Sequence, residues 1–163
     1  LGYHDELVLP IEVAPQDPAR PVVLHARVDF GLCDDICVPA EVALRAPPPG
    51  PGPDPVIQAA LERMPDQAPD QPPCRIEPIA DGMRVTARFD ATAPEVAMEL
   101  EGEPGGAPVW VSQPELSRQG DILTAEADFV AETGKPFALD PADLRLTLIA
   151  PDTAVEYRGC TPG

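Results

Sequence analysis

The chain has 163 residues, of which 44% are hydrophobic and only 4% aromatic, and its 28 acidic side chains outnumber 11 basic ones, for a formal net charge of −17. This charge argues against nucleic acid as a partner, because phosphate binding requires a basic surface, and an anionic membrane would repel the chain as well. No apolar run reaches the roughly eighteen residues of a membrane-spanning helix, so we expect no membrane insertion. The length suffices for one ordinary domain or two small ones.

The first predicted module, residues 1–46, consists of strands. Residues 6–13 (ELVLPIEV) are rich in branched side chains and contain a proline, which favours an edge strand. Apolar and polar residues alternate over 22–30 and again over 38–46, so both stretches predict strands with one apolar face. The seven residues between them, GLCDDIC, are expected to connect a hairpin. Three strands make a thin sheet, so we expect docking on the second module or further strands upstream.

A proline-rich connector, residues 47–73, is predicted to follow. Its first part, APPPGPGPDP, excludes a helix or a central strand and predicts a semi-rigid linker. Asp54 followed by Pro55 is a signal for a helix start, and apolar residues at helical spacing continue to Met64. We therefore expect one short helix that packs on a neighbouring element, then a second linker, PDQAPDQPP.

The second predicted module, residues 74–163, has the pattern of a β-sandwich, with about seven short strands separated by regularly spaced turn signals. Trp110 and Met98 are expected in its core. The predicted strands are 75–79, 83–89, 95–101, 108–112, 121–130, 143–150 and 153–159. The predicted fold class is therefore all-β, with a β-sandwich and one short helix in the connector.

Four cysteines fall into two pairs, one in each predicted module, and paired cysteines favour an oxidising compartment. A disulfide between Cys74 and Cys160 would close a long loop and stabilise the fold by roughly 4 kcal/mol, the alternative being two free thiols. Only three residues separate Cys33 from Cys37, so a disulfide there would constrain the unfolded chain little. Their spacing leaves a structural disulfide, a redox-active pair and a metal site open.

Two aspartates, Asp34 and Asp35, lie between the first two cysteines. Their carboxylates are expected to raise the pKa of the thiols, which would make the pair a slow reductant except toward a docked partner. The alternative is that the aspartates only favour the turn. His4 and His25 are expected to be ordinary surface residues. The sequence contains no Ser-His-Asp order, phosphate loop or metal-binding helix motif.

The segments GYHDELVLPIEV and VDFGLCDDICVPAEVAL resemble the N-terminal periplasmic domain of the DsbD family of protein-disulfide reductases. The likeness is closer to the ScsB-type branch, which is linked with copper tolerance. The motif of that branch is Tyr or Phe, Gly, any residue, then Cys-x-x-x-Ile-Cys-hydrophobic-Pro. The matching residues are Phe30, Gly31, Cys33, Ile36, Cys37, Val38 and Pro39. The resemblance is strongest over residues 2–46.

The resemblance implies an immunoglobulin-like redox module in the periplasm. Electrons would pass from cytosolic thioredoxin through a membrane domain and a thioredoxin-like domain to this module, which would reduce periplasmic disulfide isomerases or related oxidoreductases. Cys37 would form the mixed disulfide with a partner and Cys33 would resolve it. The best-studied branch has more residues between its cysteines than this chain, and its aromatic cap loop and acidic helper residue lie further upstream.

The hypothesis from the sequence is a periplasmic thiol–disulfide exchange module, a protein-disulfide reductase domain acting through Cys33 and Cys37, with Cys74 and Cys160 in a structural disulfide. Its partners would be thioredoxin-fold redox proteins, and it would need no cofactor or metal. The alternatives are a Cu(I)-binding copper-tolerance protein, since thiolates suit that soft ion, and a purely structural β-sandwich domain. Because the chain starts at Leu1 without methionine, we expect a processed or trimmed piece of a longer protein. The resemblance implies that this longer protein would be one of the inner membrane.

Overall fold

The computed structural model describes residues 6–15, 17, 20, 22–34, 36–46, 50, 52–102, 106 and 108–163. These residues form twelve β-strands and a single α-helix, so the predicted all-β class with one short helix is confirmed. They divide into two compact units, which we call the hairpin unit, up to Arg63, and the sandwich unit, from Met64 to Gly163. The boundary thus lies within the predicted connector rather than at its end.

The hairpin unit contains strands β1 (Leu24–Cys33) and β2 (Cys37–Ala46). The two strands pair antiparallel over their whole length, and the pairing ends with Cys33 opposite Cys37. The connection is therefore three residues long, not the seven predicted from the sequence. The reason is that three residue pairs, Gly31 with Pro39, Leu32 with Val38 and Cys33 with Cys37, continue the pairing into the predicted connection.

The strand predicted over residues 6–13 is wrong, because residues 6–15 have no regular secondary structure. Pro10 lacks the N–H that a ladder requires, and the strands of this unit pair only with each other among the described residues. The side chains of Leu7, Leu9, Ile11 and Val13, which alternate as in a strand, are exposed. Alternation without a pairing partner therefore did not produce a strand here.

Helix α1 (Pro55–Leu61) begins where the sequence predicts. The Asp54 carboxylate accepts a hydrogen bond of 2.8 Å from the backbone N–H of Val56, which satisfies one of the free donors at the helix start. The helix ends at Leu61, before Met64, and none of its residues is buried, so the expected packing is not found. No helix in the described part of the chain is long and apolar enough to cross a membrane.

The sandwich unit holds the remaining ten strands. They are β3 (Asp66–Gln67), β4 (Pro73–Pro78), β5 (Met83–Asp90), β6 (Glu95–Leu100), β7 (Val109–Val111), β8 (Glu115–Gln119), β9 (Ile122–Ala131), β10 (Leu144–Ile149), β11 (Ala154–Arg158) and β12 (Thr161–Pro162). One sheet has the order β3-β11-β10-β6, and the other has the order β12-β4-β5-β9-β7, with β8 also paired to β9. The seven strands predicted for the second module are all present, whereas β3, β8 and β12 were not predicted.

Strand β3 lies inside the segment predicted to be a second linker. It pairs in parallel with β11, and the Gln67 side chain donates a 2.8 Å hydrogen bond to the Glu156 carboxylate. The Gln71 side chain donates a further hydrogen bond to the Arg158 carbonyl. The end of the predicted connector is therefore an edge of the sandwich.

The core of the sandwich unit follows from alternation along its strands. In β9 every second side chain, from Leu123 to Ala131, is buried, and those up to Phe129 belong to the same core as the inward residues of β6 and β10. The largest fully buried side chains are Phe129, Leu144, Leu146 and Val85. Met98 is buried as predicted, but Trp110 is 63% exposed. Trp110 pairs with Val130, which points away from the core side of β9, so the register places the indole on the outer face.

Candidate redox site

The candidate site is the disulfide between Cys33 and Cys37 at the end of the hairpin, where the two cysteines are direct cross-strand partners with Cα atoms 4.0 Å apart. The second disulfide joins Cys74 in β4 to Cys160, with Cα atoms 5.7 Å apart. This is the pairing that the sequence predicts. No cysteine of the chain is free.

The two faces of the hairpin differ in chemistry, because side chains alternate along a strand and paired residues share a face. One face is wholly apolar; it consists of Leu24, Ala26, Val28, Phe30, Leu32, Val38, Ala40, Val42, Leu44 and Ala46. The opposite face carries the disulfide, and its other members are His25, Arg27, Asp29, Gly31, Pro39, Glu41, Ala43 and Arg45. The disulfide therefore stands on the polar face, at the end of the strands.

The end of the hairpin is open to solvent. Both cysteines are exposed, and Ile36 in the connection is 74% exposed. By contrast, Cys74 and Cys160 are only 4% and 3% exposed. Thiol–disulfide exchange requires that an attacking thiolate reach a sulfur atom. The Cys33–Cys37 disulfide allows this access, whereas burial hinders it at the Cys74–Cys160 disulfide.

The connection at the tip is closed by a hydrogen bond of 3.1 Å from the backbone N–H of Asp34 to the carbonyl of Ile36. Asp35 lies outside the described residues, so only Asp34 can be placed beside the disulfide. That the Asp34 carboxylate disfavours a thiolate at Cys33 stays a prediction from the sequence.

His25, the histidine that the structure describes, does not belong to the site. His25 is exposed on the face that carries the disulfide, but it lies eight positions before Cys33 in β1, or roughly 26 Å along an extended strand. His4 lies outside the described residues. Among the residues that the structure describes, no group of three or more His, Cys, Asp or Glu side chains could hold a metal ion.

Gly31 is the neighbour of Cys33 on the face of the disulfide. A Cβ built on Gly31 would lie 3.5 Å from Sγ of Cys33 and 3.9 Å from Cβ of Cys37. The sequence matches Gly31 to the family motif without indicating a role for it. The available signal was its position two residues before a cysteine in a strand, where side chains share a face.

Ionic contacts on the outer face of the sandwich form a second polar cluster. The Arg84 guanidinium donates hydrogen bonds of 2.7 and 2.9 Å to the two carboxylate oxygens of Asp128, its cross-strand partner. This bidentate hydrogen bond lowers the pKa of Asp128, although partial burial acts in the opposite direction. The Thr86 hydroxyl donates to Glu126 in the next outward pair, at 2.9 Å. The cluster contains no thiol or imidazole, so it links β5 and β9 without contributing to redox chemistry.

Comparisons with models of protein families, with curated proteins and with solved structures found no match to this chain. The likeness to the DsbD family is therefore carried by the quoted residues alone.

Proposed function

We propose that the hairpin unit exchanges thiols and disulfides with partner proteins through Cys33 and Cys37, as a protein-disulfide reductase domain of the periplasm. The observation that supports this proposal is the difference in access between the two disulfides. One stands exposed at a hairpin tip, and the other is buried in the core of the sandwich unit. A short-loop disulfide contributes little to stability, so its exposure is better explained by reactivity than by a structural role.

Reduction of the module proceeds in two exchanges. A thiolate of the donor protein attacks Sγ of Cys37 and forms an intermolecular disulfide. The bond between Cys33 and Cys37 breaks, and its electron pair leaves with Cys33, which takes up a proton from water. A second thiolate of the donor then attacks the donor sulfur of the mixed disulfide, and Cys37 leaves with the electron pair. The donor is oxidised to a disulfide, and the module gains two electrons and two protons.

Delivery of the electrons reverses these roles. The Cys37 thiolate attacks a disulfide of the acceptor, and the first acceptor sulfur leaves. The Cys33 thiolate then attacks Sγ of Cys37, restores the intramolecular disulfide and releases the second acceptor sulfur. No cofactor takes part. The choice of Cys37 as the exchanging sulfur rests on the family motif, in which this cysteine precedes Val38 and Pro39.

The partners proposed are thioredoxin-fold proteins with a reactive dithiol, on both the donor and the acceptor side. The end of the hairpin supports this class, because it offers exposed apolar side chains: Leu32 and Val38 on the face opposite the disulfide, and Ile36 in the connection. Leu32, Ile36 and Val38 are 62%, 74% and 52% exposed. A partner that covers these side chains would stabilise the encounter by apolar burial.

The test is to trap and map the mixed disulfide. The oxidised chain is mixed with a thioredoxin whose second active-site cysteine is replaced by serine, the reaction is quenched with acid, and peptides are mapped without reduction. We expect a covalent complex through Cys37. A control with Cys33→Ala and Cys37→Ala together, which keeps the buried disulfide, should give none.

Linkage through Cys33 would invert the proposed order of attack, and linkage through Cys74 or Cys160 would reject the hairpin as the site. If no complex forms and the reduced chain binds Cu(I) tightly, the copper-tolerance alternative replaces the redox proposal. If neither occurs, the disulfide is structural.

A further inference from the structure

Gly31 occupies a place in β1 that does not require glycine. It does not have a positive φ, in contrast to Gly102, Gly120 and Gly159. A Cβ at this position would meet Sγ of Cys33 at 3.5 Å, which is an ordinary van der Waals contact. Glycine within a strand destabilises the fold relative to alanine, because it loses more conformational freedom on folding. The fold therefore tolerates a side chain at position 31, and the absence of one calls for another explanation.

We propose that Gly31 is a positioning residue of the redox site, which leaves the Cys33 sulfur open to water so that Cys33 is the better leaving group when Cys37 is attacked. The inference rests on the proposed function. It adds a third residue to the site, one that acts through Cys33.

The physical reason is the charge that develops on Cys33. When a thiolate attacks Sγ of Cys37, the bonding electron pair leaves with Cys33, whose sulfur then carries a negative charge. A hydrocarbon side chain at position 31 would contact this sulfur and displace water from it. Loss of hydration disfavours the thiolate and raises the pKa of the thiol, and a thiol of higher pKa leaves more slowly.

The charged groups around the disulfide do not offer Cys33 a compensating partner. Asp34 follows it in the connection, and Asp29 and Glu41 stand on the same face of the hairpin. Arg27, the nearest cation on this face, lies six residues before Cys33, and its guanidinium is paired with Glu41 at 3.3 Å. The other basic residues of this face, His25 and Arg45, are cross-strand partners near the opposite end of the strands. Water is therefore the main stabiliser of a Cys33 thiolate among the described surroundings.

The test compares Gly31→Ala and Gly31→Val with Ala43→Val in the full chain. Ala43 is exposed on the same face of the hairpin, away from the cysteines, so its variant adds a similar side chain without covering a sulfur. Two quantities are measured. One is the rate at which dithiothreitol reduces the hairpin disulfide, and the other is the pH midpoint of Cys33 alkylation by iodoacetamide in a Cys37→Ser background.

For Gly31→Val we expect reduction to slow about 3- to 10-fold and the midpoint of alkylation to rise by about 0.5–1 pH unit. Gly31→Ala should change the rate of reduction and the midpoint of alkylation in the same direction, but by less. The rate of reduction of Ala43→Val should stay within about twofold of that of the parent chain, because this variant changes no contact of the sulfur. A purely structural effect on the hairpin would slow or accelerate the reaction without moving the midpoint of Cys33.

An unchanged midpoint in both Gly31 variants, or equal shifts in Gly31→Val and Ala43→Val, would overturn the inference. If Gly31→Val disturbs the strands, Gly31→Ala still tests the inference, because a Cβ at position 31 fits at 3.5 Å from Sγ of Cys33. Dithiothreitol and iodoacetamide need no protein partner. If the Gly31 variants shift the alkylation midpoint but the parent chain traps no thioredoxin, the proposed function is rejected and the effect of Gly31 is retained. If the parent chain traps thioredoxin but the midpoint does not shift, the proposed function is retained and the inference about Gly31 is rejected.

Discussion

The hairpin unit and the sandwich unit are both built from alternating strands and each contains one disulfide, yet they differ in what covers their apolar side chains. In the sandwich unit the inward side chains of two sheets form one buried core. In the hairpin unit none of the described residues is buried. The same covalent bond therefore stands in two environments. Burial, which alternation alone does not guarantee, separates the disulfide of the sandwich unit from the exposed one that we propose to be reactive.

The comparison also concerns stability. A two-stranded hairpin without a covered face is at best marginally stable in water, whereas packed sheets are stabilised by about 25 cal/mol for each Å² of apolar surface removed from water. Substitutions in the two units should therefore differ in cost even where the residue types are the same. Two phenylalanines, Phe129 and Phe30, allow a matched test.

The largest difference is expected for these two phenylalanines. Phe129 is fully buried, so Phe129→Ala should lower the free energy of unfolding by about 3–5 kcal/mol through lost burial and a cavity. Phe30 is 43% exposed, and Phe30→Ala should cost less than about 1 kcal/mol. Urea unfolding followed by circular dichroism measures both. Similar losses for the two variants would show that the hairpin face is covered as well as the core.

Removal of each disulfide should give the next largest difference. Cys74→Ala with Cys160→Ala should cost about 2–5 kcal/mol, because the bond closes a long loop and ties β12 to β4. Cys33→Ser with Cys37→Ser should cost at most about 2 kcal/mol, because only three residues lie inside its loop. Thermal unfolding under identical conditions compares the two double variants. The reverse order would mean that the roles of the disulfides are exchanged.

The smallest effect concerns the ion pair on the outer face of the sandwich. The pKa of Asp128 is lower in the folded than in the unfolded chain. Its pairing with Arg84 therefore stabilises the fold at pH values above the ordinary pKa of a carboxyl group, and this stabilisation is lost as the pH falls through the pKa of the folded state. Asp128→Asn should therefore lower the melting temperature at pH 7 and make little difference in strong acid.

The control for that titration is Glu132→Gln, which removes an exposed carboxylate directly after the end of β9. It should leave the pH dependence of melting close to that of the parent chain. A constant difference between Asp128→Asn and the parent chain from neutral pH into strong acid would show that the carboxylate contributes by packing and not by its charge.

Much of the fold was predictable because alternation of side chains is a local signal. The strands around Phe89 and Leu146 and the start of α1 at Asp54 follow from nearby residues alone. The predictions that failed concern features that are set by residues distant in the sequence. Trp110 was assigned to the core by its residue type, but its side is set by the register with Val130. Strand β3 has two residues, and only its pairing with β11 defines it.

The candidate site divides in the same way. The pairing of Cys33 with Cys37 agrees with their spacing, and their place at a hairpin end agrees with the two flanking strands. Exposure of the disulfide and the closeness of Gly31 to Sγ of Cys33 were not predictable, because both depend on how neighbouring side chains are placed in space.

The central claim is that the exposed disulfide is reactive and the buried one is protected. Its most direct test is to treat the folded chain with dithiothreitol at pH 8, quench with an alkylating agent at intervals, and follow the labelling of each cysteine by peptide mass spectrometry. We expect Cys33 and Cys37 to be labelled together, at a rate on the order of a hundred times or more that of Cys74 and Cys160, because the buried bond is reached only when the core opens. Equal rates, or earlier labelling of Cys74 and Cys160, would contradict the account.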